Sequence, residues 1–209
     1  MYNQAMTKLL NNYIQNSDDE WVDTHYGTGY RCSVDLKDGL HLPCVMLRRP
    51  NATVELALRR FEEEKKGRGV FSRNENGYQE IVEHFVTSGN RLNDFDIENI
   101  TPSRFAIPKE ILKQIEGETA MSWTGWVFEM RDGKLFSFGS TFLFEFFQLP
   151  NGYEFSDVAK VHNHSFLDED GKIKLIRDNL DGMIKYRDRE GAVTIYRERP
   201  YFTCFVEEN

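Results

Sequence analysis

The feature that most constrains this chain is a switch of hydrophobic period, from helical to two, beside turns of one chemistry. Tyr30, Cys32, Val34 and Leu36 alternate with Arg31, Ser33 and Asp35, and Lys37-Asp38-Gly39 follows. Successive side chains of a strand point to opposite faces, so this alternation predicts a half-buried strand and a hairpin. A two-residue loop at Asp38-Gly39 would set Leu36 against His41 and Val34 against Pro43. A three-residue loop, with Gly39 left-handed in a bulge, pairs Leu36 with Leu40, Val34 with Leu42 and Cys32 with Cys44. Only the second register puts apolar residues opposite one another on one face, and it is the expected one.

The same unit recurs at Trp126, Phe128 and Met130, turned by Arg131-Asp132-Gly133 and answered by Phe136 and Phe138. A three-residue loop there pairs Phe128 with Phe136 and Trp126 with Phe138. The likeness of the two hairpins ends within a few residues, so shared turn chemistry accounts for it better than duplication does. Further turns at Pro150-Asn151-Gly152, Asp168–Gly171 and Asp188–Gly191 punctuate residues 123–207. The last, with a four-residue loop, would pair Tyr186 with Val193 and Ile184 with Ile195. This spacing predicts an antiparallel meander of about seven or eight strands, as a curved sheet or barrel.

Helical spacing dominates elsewhere in the N-terminal part. Met6, Leu9, Leu10, Tyr13 and Ile14 form one stripe. Helices are also expected at Thr53–Lys66, at Tyr78–Thr87, and from Pro108 to Gly117 with Ile111, Leu112 and Ile115 inward. Residues 88–106 read as irregular. The expected fold is therefore α+β. About three helices and a hairpin (1–117) pack with a C-terminal antiparallel part (118–209), as two parts or one continuous domain.

Composition narrows the function classes. The net charge of −8 disfavours non-specific nucleic-acid binding, which needs clustered cations. Residues 171–200 carry a small cationic excess, read as the solvated face of strands. No stretch approaches the roughly 20 apolar residues of a membrane span, and the N-terminus lacks a signal-peptide pattern. Three cysteines, Cys32, Cys44 and Cys204, show no C-x-x-C spacing, so the cytoplasm is the expected compartment, with reduced thiols.

Candidate chemistry is sparse. His162 and His164, two apart in an extended segment, would share a face and could chelate one metal, completed by His25 or His84. Asp168-Glu169-Asp170-Gly171 lacks the remaining ligands of a calcium loop and reads as a turn. Gly27-Thr28-Gly29 has neither the third glycine of a dinucleotide fingerprint nor a phosphate-loop lysine, and no cofactor is expected. Asp23 and His25 read as loop polars. The aromatic block from Phe136 to Phe155 supplies a core stripe and, on its other face, a possible recognition patch with Phe147 and Tyr153 as binding residues. Two readings follow. One is a non-catalytic protein-binding or inhibitory module. The other is a metal-dependent hydrolase or nuclease built on His162 and His164.

Overall fold

Each half of the chain is organised by a sheet, and the computed structural model describes residues 4–23, 27–49, 52, 55–56, 59, 90–120, 123–141, 145–178 and 195–206. The chain divides into two compact units, Met1–Arg104 with Tyr201–Asn209, and Phe105–Pro200.

In the first unit, helix α1 (Gln4–Asn16) precedes strands β1 (Glu20–Asp23), β2 (Gly27–Leu36), β3 (His41–Arg49), β4 (Ile97–Pro102) and β11 (Phe202–Phe205). The long strand β2 organises the sheet. Antiparallel β3 lies on one edge of it, while β1 and β4 share the other, β1 along residues 27–30 and β4 along residues 32–36. Strand β11 adds in parallel to β3. Leu10 and Ile14 of α1 are buried with Tyr30, Cys32, Val34, Leu36, Val45 and Leu47, so the predicted stripe of α1 covers one sheet face. Each such side chain contributes about 1.5–3 kcal/mol by leaving water.

In the second unit, β5 (Thr124–Met130), β6 (Leu135–Ser140), β7 (Val158–Asn163) and β10 (Ile195–Arg197) form a sheet in the order β10-β6-β5-β7. A separate ribbon pairs β8 (Ser165–Leu167) with β9 (Ile173–Leu175). One turn of helix, α2 (Lys109–Leu112), places Ile111 in a core with Trp126, Phe128, Phe138 and Phe147. Trp126 and Phe138 are cross-strand partners with stacked rings 6.0 Å apart.

These facts correct the expected architecture. The N-terminal part is not three helices and a hairpin: it is built on a five-stranded sheet, completed by β11 from the C-terminal end, with α1 packed on it. The helix predicted from Pro108 to Gly117 shortens to a single turn. The C-terminal part is an open four-stranded sheet plus a ribbon. Among the described residues it is neither a barrel nor a purely antiparallel meander, since β10 runs parallel to β6. Sequence reading missed β1 and β4 because Glu20-Trp21-Val22-Asp23 is too short to alternate. Segment Ile97–Pro102, with Glu98, Asn99 and Thr101 exposed, carries the polar composition of a loop. Of the helix expected at Thr53–Lys66, the described residues Glu55, Leu56 and Arg59 are helical, and the rest lies outside the described residues. The helix expected at Tyr78–Thr87 and the hairpin at Asp188–Gly191 also lie outside them.

Both predicted loops are present. Gly39 and Gly133 have φ of 88° and 85°, and Phe128 faces Phe136 as expected. In β2–β3, however, the register shifts between Cys32 and Val34, so Cys32 faces Val45 and not Cys44. The cause is local. Pro43 has no N–H for the ladder, and its carbonyl accepts the hydroxyls of Ser33 (3.0 Å) and Ser103 (2.5 Å).

Candidate interaction surface

The β2–β3 turn and the 3-10 turn before β4 meet at one end of the first unit's sheet. Gly39 N–H donates to Leu36 O and Leu36 N–H to Leu40 O, both at 2.8 Å, while Asp38 Oδ1 accepts Leu40 N–H at 3.0 Å. The 3-10 turn, Asp94–Asp96, is fixed in the same way, with Asp94 Oδ1 accepting Phe95 N–H at 2.9 Å. Lys37 joins the two turns: its N–H donates to Asp96 O at 3.0 Å, and its ammonium donates to Phe95 O. With both backbones tied down, Leu40 and Phe95 remain 54% and 57% exposed. Their neighbours in sequence are mainly acidic: Asp35, Asp38, Asp94, Asp96 and Glu98 outnumber Lys37 and His41. Asp35 accepts from His41 Nδ1 (2.7 Å) and Asn99 Nδ2 (3.1 Å), and these bonds, His41's first, hold its carboxyl below the ordinary aspartate range.

Sequence reading placed Leu40 inward, opposite Leu36, and left Phe95 in an irregular stretch. The usable signal was an apolar residue set directly among turn-forming aspartates, Asp94-Phe95-Asp96 and Lys37-Asp38-Gly39-Leu40, where no strand face is available to bury it.

The two histidines of the second unit go to separate partners. His162 lies opposite Val127 on β5, and its Nε2 meets Glu129 Oε2 at 2.7 Å. Strand β7 then ends at Asn163. His164 turns the chain into β8 with a φ of 51°, so the two imidazoles do not share a strand face. That conformation is disfavoured for a residue with a Cβ, and two bonds hold it. Nε2 of His164 donates to Glu116 Oε2 at 2.8 Å, which leaves Nδ1 to accept the Thr119 hydroxyl at 2.9 Å. Asn163 reinforces this corner, donating to Gln114 O at 2.7 Å and accepting Glu116 N–H at 3.0 Å. The bonds tie residues 114–119 to the end of β7. Among the described residues, no three His, Cys, Asp or Glu side chains converge as metal ligands; His25 and His84 lie outside those residues.

The aromatic candidates also separate. Phe147 is wholly buried, whereas Tyr153 is half-buried, edge-on to Phe136, with its hydroxyl donating to Asp132 Oδ2 at 2.7 Å. Phe142 and Phe144 lie outside the described residues. The three cysteines are buried and form no disulfide: burial raises Cys32 well above the usual range and pushes Cys204 up to about 12. Neither offers a thiolate nucleophile at neutral pH. Asp168–Gly171 is a turn, with Asp168 Oδ1 accepting Lys172 N–H at 2.8 Å. Among the described residues, no helix is long and apolar enough to cross a membrane. No family model, curated protein or solved structure matches the chain.

Proposed function

We propose that this chain is a non-catalytic protein-binding or inhibitory module, whose contact with its partner centres on Leu40 and Phe95. The observation that carries the reading is their exposure, 54% and 57%, on two turns that hydrogen bonds lock together. Burying a Leu or Phe is worth about 1.5–3 kcal/mol each, and aromatic residues such as Phe95 are enriched in the cores of protein interfaces. Rigid backbones beneath them keep the ordering cost of binding low. Tyr153 is a secondary candidate, and the wholly buried Phe147 supports the core instead.

Site-specific photo-crosslinking tests the reading. A benzophenone amino acid at position 95 or 40 should give a discrete adduct in cells that express the chain. The same group at exposed Glu169, on the β8–β9 turn, should not. Identical adducts from all three positions, or none from 40 and 95, would overturn it.

A further inference from the structure

The charge around Leu40 and Phe95 defines the partner's chemistry, an inference that rests on the reading above. Asp38 and Asp94 each use Oδ1 to accept a backbone N–H of their own turn, which fixes the carboxylates beside the apolar pair. Asp96 lies next to Phe95 in sequence, and exposed Glu98 follows on β4. The one lysine of these two turns, Lys37, directs its ammonium to Phe95 O and so lies against the surface as a tie between turns. All these charges belong to two short segments joined by the hydrogen bonds of Lys37, and charges act over roughly 10 Å at 0.1 M salt. An acidic protein, a nucleic acid or an anionic lipid surface would meet repulsion as it desolvated Leu40 and Phe95.

We infer that the partner presents a short segment in which one apolar side chain is flanked by Lys or Arg. The apolar residue packs on Leu40 and Phe95, and the flanking cations reach Asp38, Asp94 and Glu98. Complementarity of this kind sets partner choice and encounter rate more than final affinity, so binding should weaken steeply with salt.

A random dodecapeptide display library selected on the immobilised full-length chain tests this. The enriched peptides should carry net positive charge around a Leu, Ile or aromatic residue. The Leu40→Ser/Phe95→Ser variant should lose them. The triple variant Asp38→Asn/Asp94→Asn/Glu98→Gln keeps the Oδ1 acceptors of its turns and should bind at least about tenfold more weakly. Thermal melting checks that both variants fold. If the enriched peptides are neutral or acidic yet still need Leu40 and Phe95, the charge inference falls and the surface reading stands. Absence of enrichment, or equal binding to the Leu40→Ser/Phe95→Ser variant, removes both.

Discussion

The β2–β3 and β5–β6 hairpins begin identically and diverge within five residues. In each, a Lys/Arg-Asp-Gly loop places glycine at positive φ, and the aspartate accepts the N–H two residues on at 3.0 Å. Beyond the loop, β5–β6 continues in register from Glu129↔Leu135 to Thr124↔Ser140, while β2–β3 breaks at Ser33 and Pro43. The bulge turns Val45 and Leu47 onto the core face with Cys32 and Tyr30. Turn chemistry therefore sets a hairpin's first pairs, and a single residue without an N–H resets the rest.

The two sheets also bury their second faces differently, and glycines expose the contrast. In the second unit, Gly125 and Gly139 are cross-strand partners, and the Trp123 indole lies against both. A Cβ at Gly139 would collide with Trp123 Cζ2, Cη2 and Cε2, a ring held in turn by Phe166, Ile176 and the Arg197 guanidinium, 4.6 Å from its centroid. In the first unit, a Cβ at Gly29 would meet Met46 Sδ at 2.5 Å, the end of a flexible thioether. Gly139→Ala should therefore cost about 3 kcal/mol or more and Gly29→Ala about 1 kcal/mol. Urea denaturation of the two variants measures both, and equal costs would show that the two faces yield alike.

The corner at His164 sharpens the comparison from the other side, since here a residue other than glycine holds a positive φ. His164→Ala keeps the strain and loses both ring hydrogen bonds, for an expected cost of about 2 kcal/mol. His164→Gly loses the same bonds but relaxes the backbone, so it should recover about 1 kcal/mol of that. Chemical denaturation that ranked the alanine variant above the glycine variant would show that φ carries no strain there.

What the sequence made legible follows from how far each signal reaches. The loops, the Phe128–Phe136 and Trp126–Phe138 pairs, and the Leu9, Leu10, Tyr13 and Ile14 stripe depend on neighbours within about ten residues, and periodicity records these. The pairing of β11 with β3 joins residues 202–205 to residues 45–48, and that of β10 with β6 joins residues 195–197 to residues 137–139. No local pattern encodes either. Strand β4 was hidden because an edge position asks little of its side chains. The histidine pair was legible as a pair but not in geometry, because the chain leaves the strand at His164. Leu40 was read as core because alternation assigns a face without saying whether anything covers it.

Gly39→Ala and Gly133→Ala compare the loops directly. A Cβ at either position meets nothing within 4 Å, so the cost of each is conformational alone, about 1 kcal/mol. The two costs should agree within a few tenths of a kcal/mol. Unequal melting shifts would mean that surroundings, as well as turn geometry, act on the loop.

The smallest effect distinguishes the carboxylates that serve the two hairpins. Asp132 is held below the ordinary aspartate range, first by the Tyr153 hydroxyl and next by the Lys134 N–H, whereas Asp35 is held down by His41 and Asn99. A carboxyl whose folded pKa is depressed contributes stability above its unfolded pKa, near 3.9, and loses it as pH falls through the folded value. Both contributions should therefore fade on acidification below about pH 4. Tyr153→Phe removes only the hydroxyl donor, so the Asp132 pKa should rise toward 3.8 while Asp35 stays where it is. The residual depression of Asp132 should come first from the Lys134 N–H, since that bond belongs to the loop and survives the substitution. Carbon-detected NMR titration of the aspartate carboxyls reads both groups in one sample. An unmoved Asp132 would place the loop's own N–H, and not Tyr153, as the main cause.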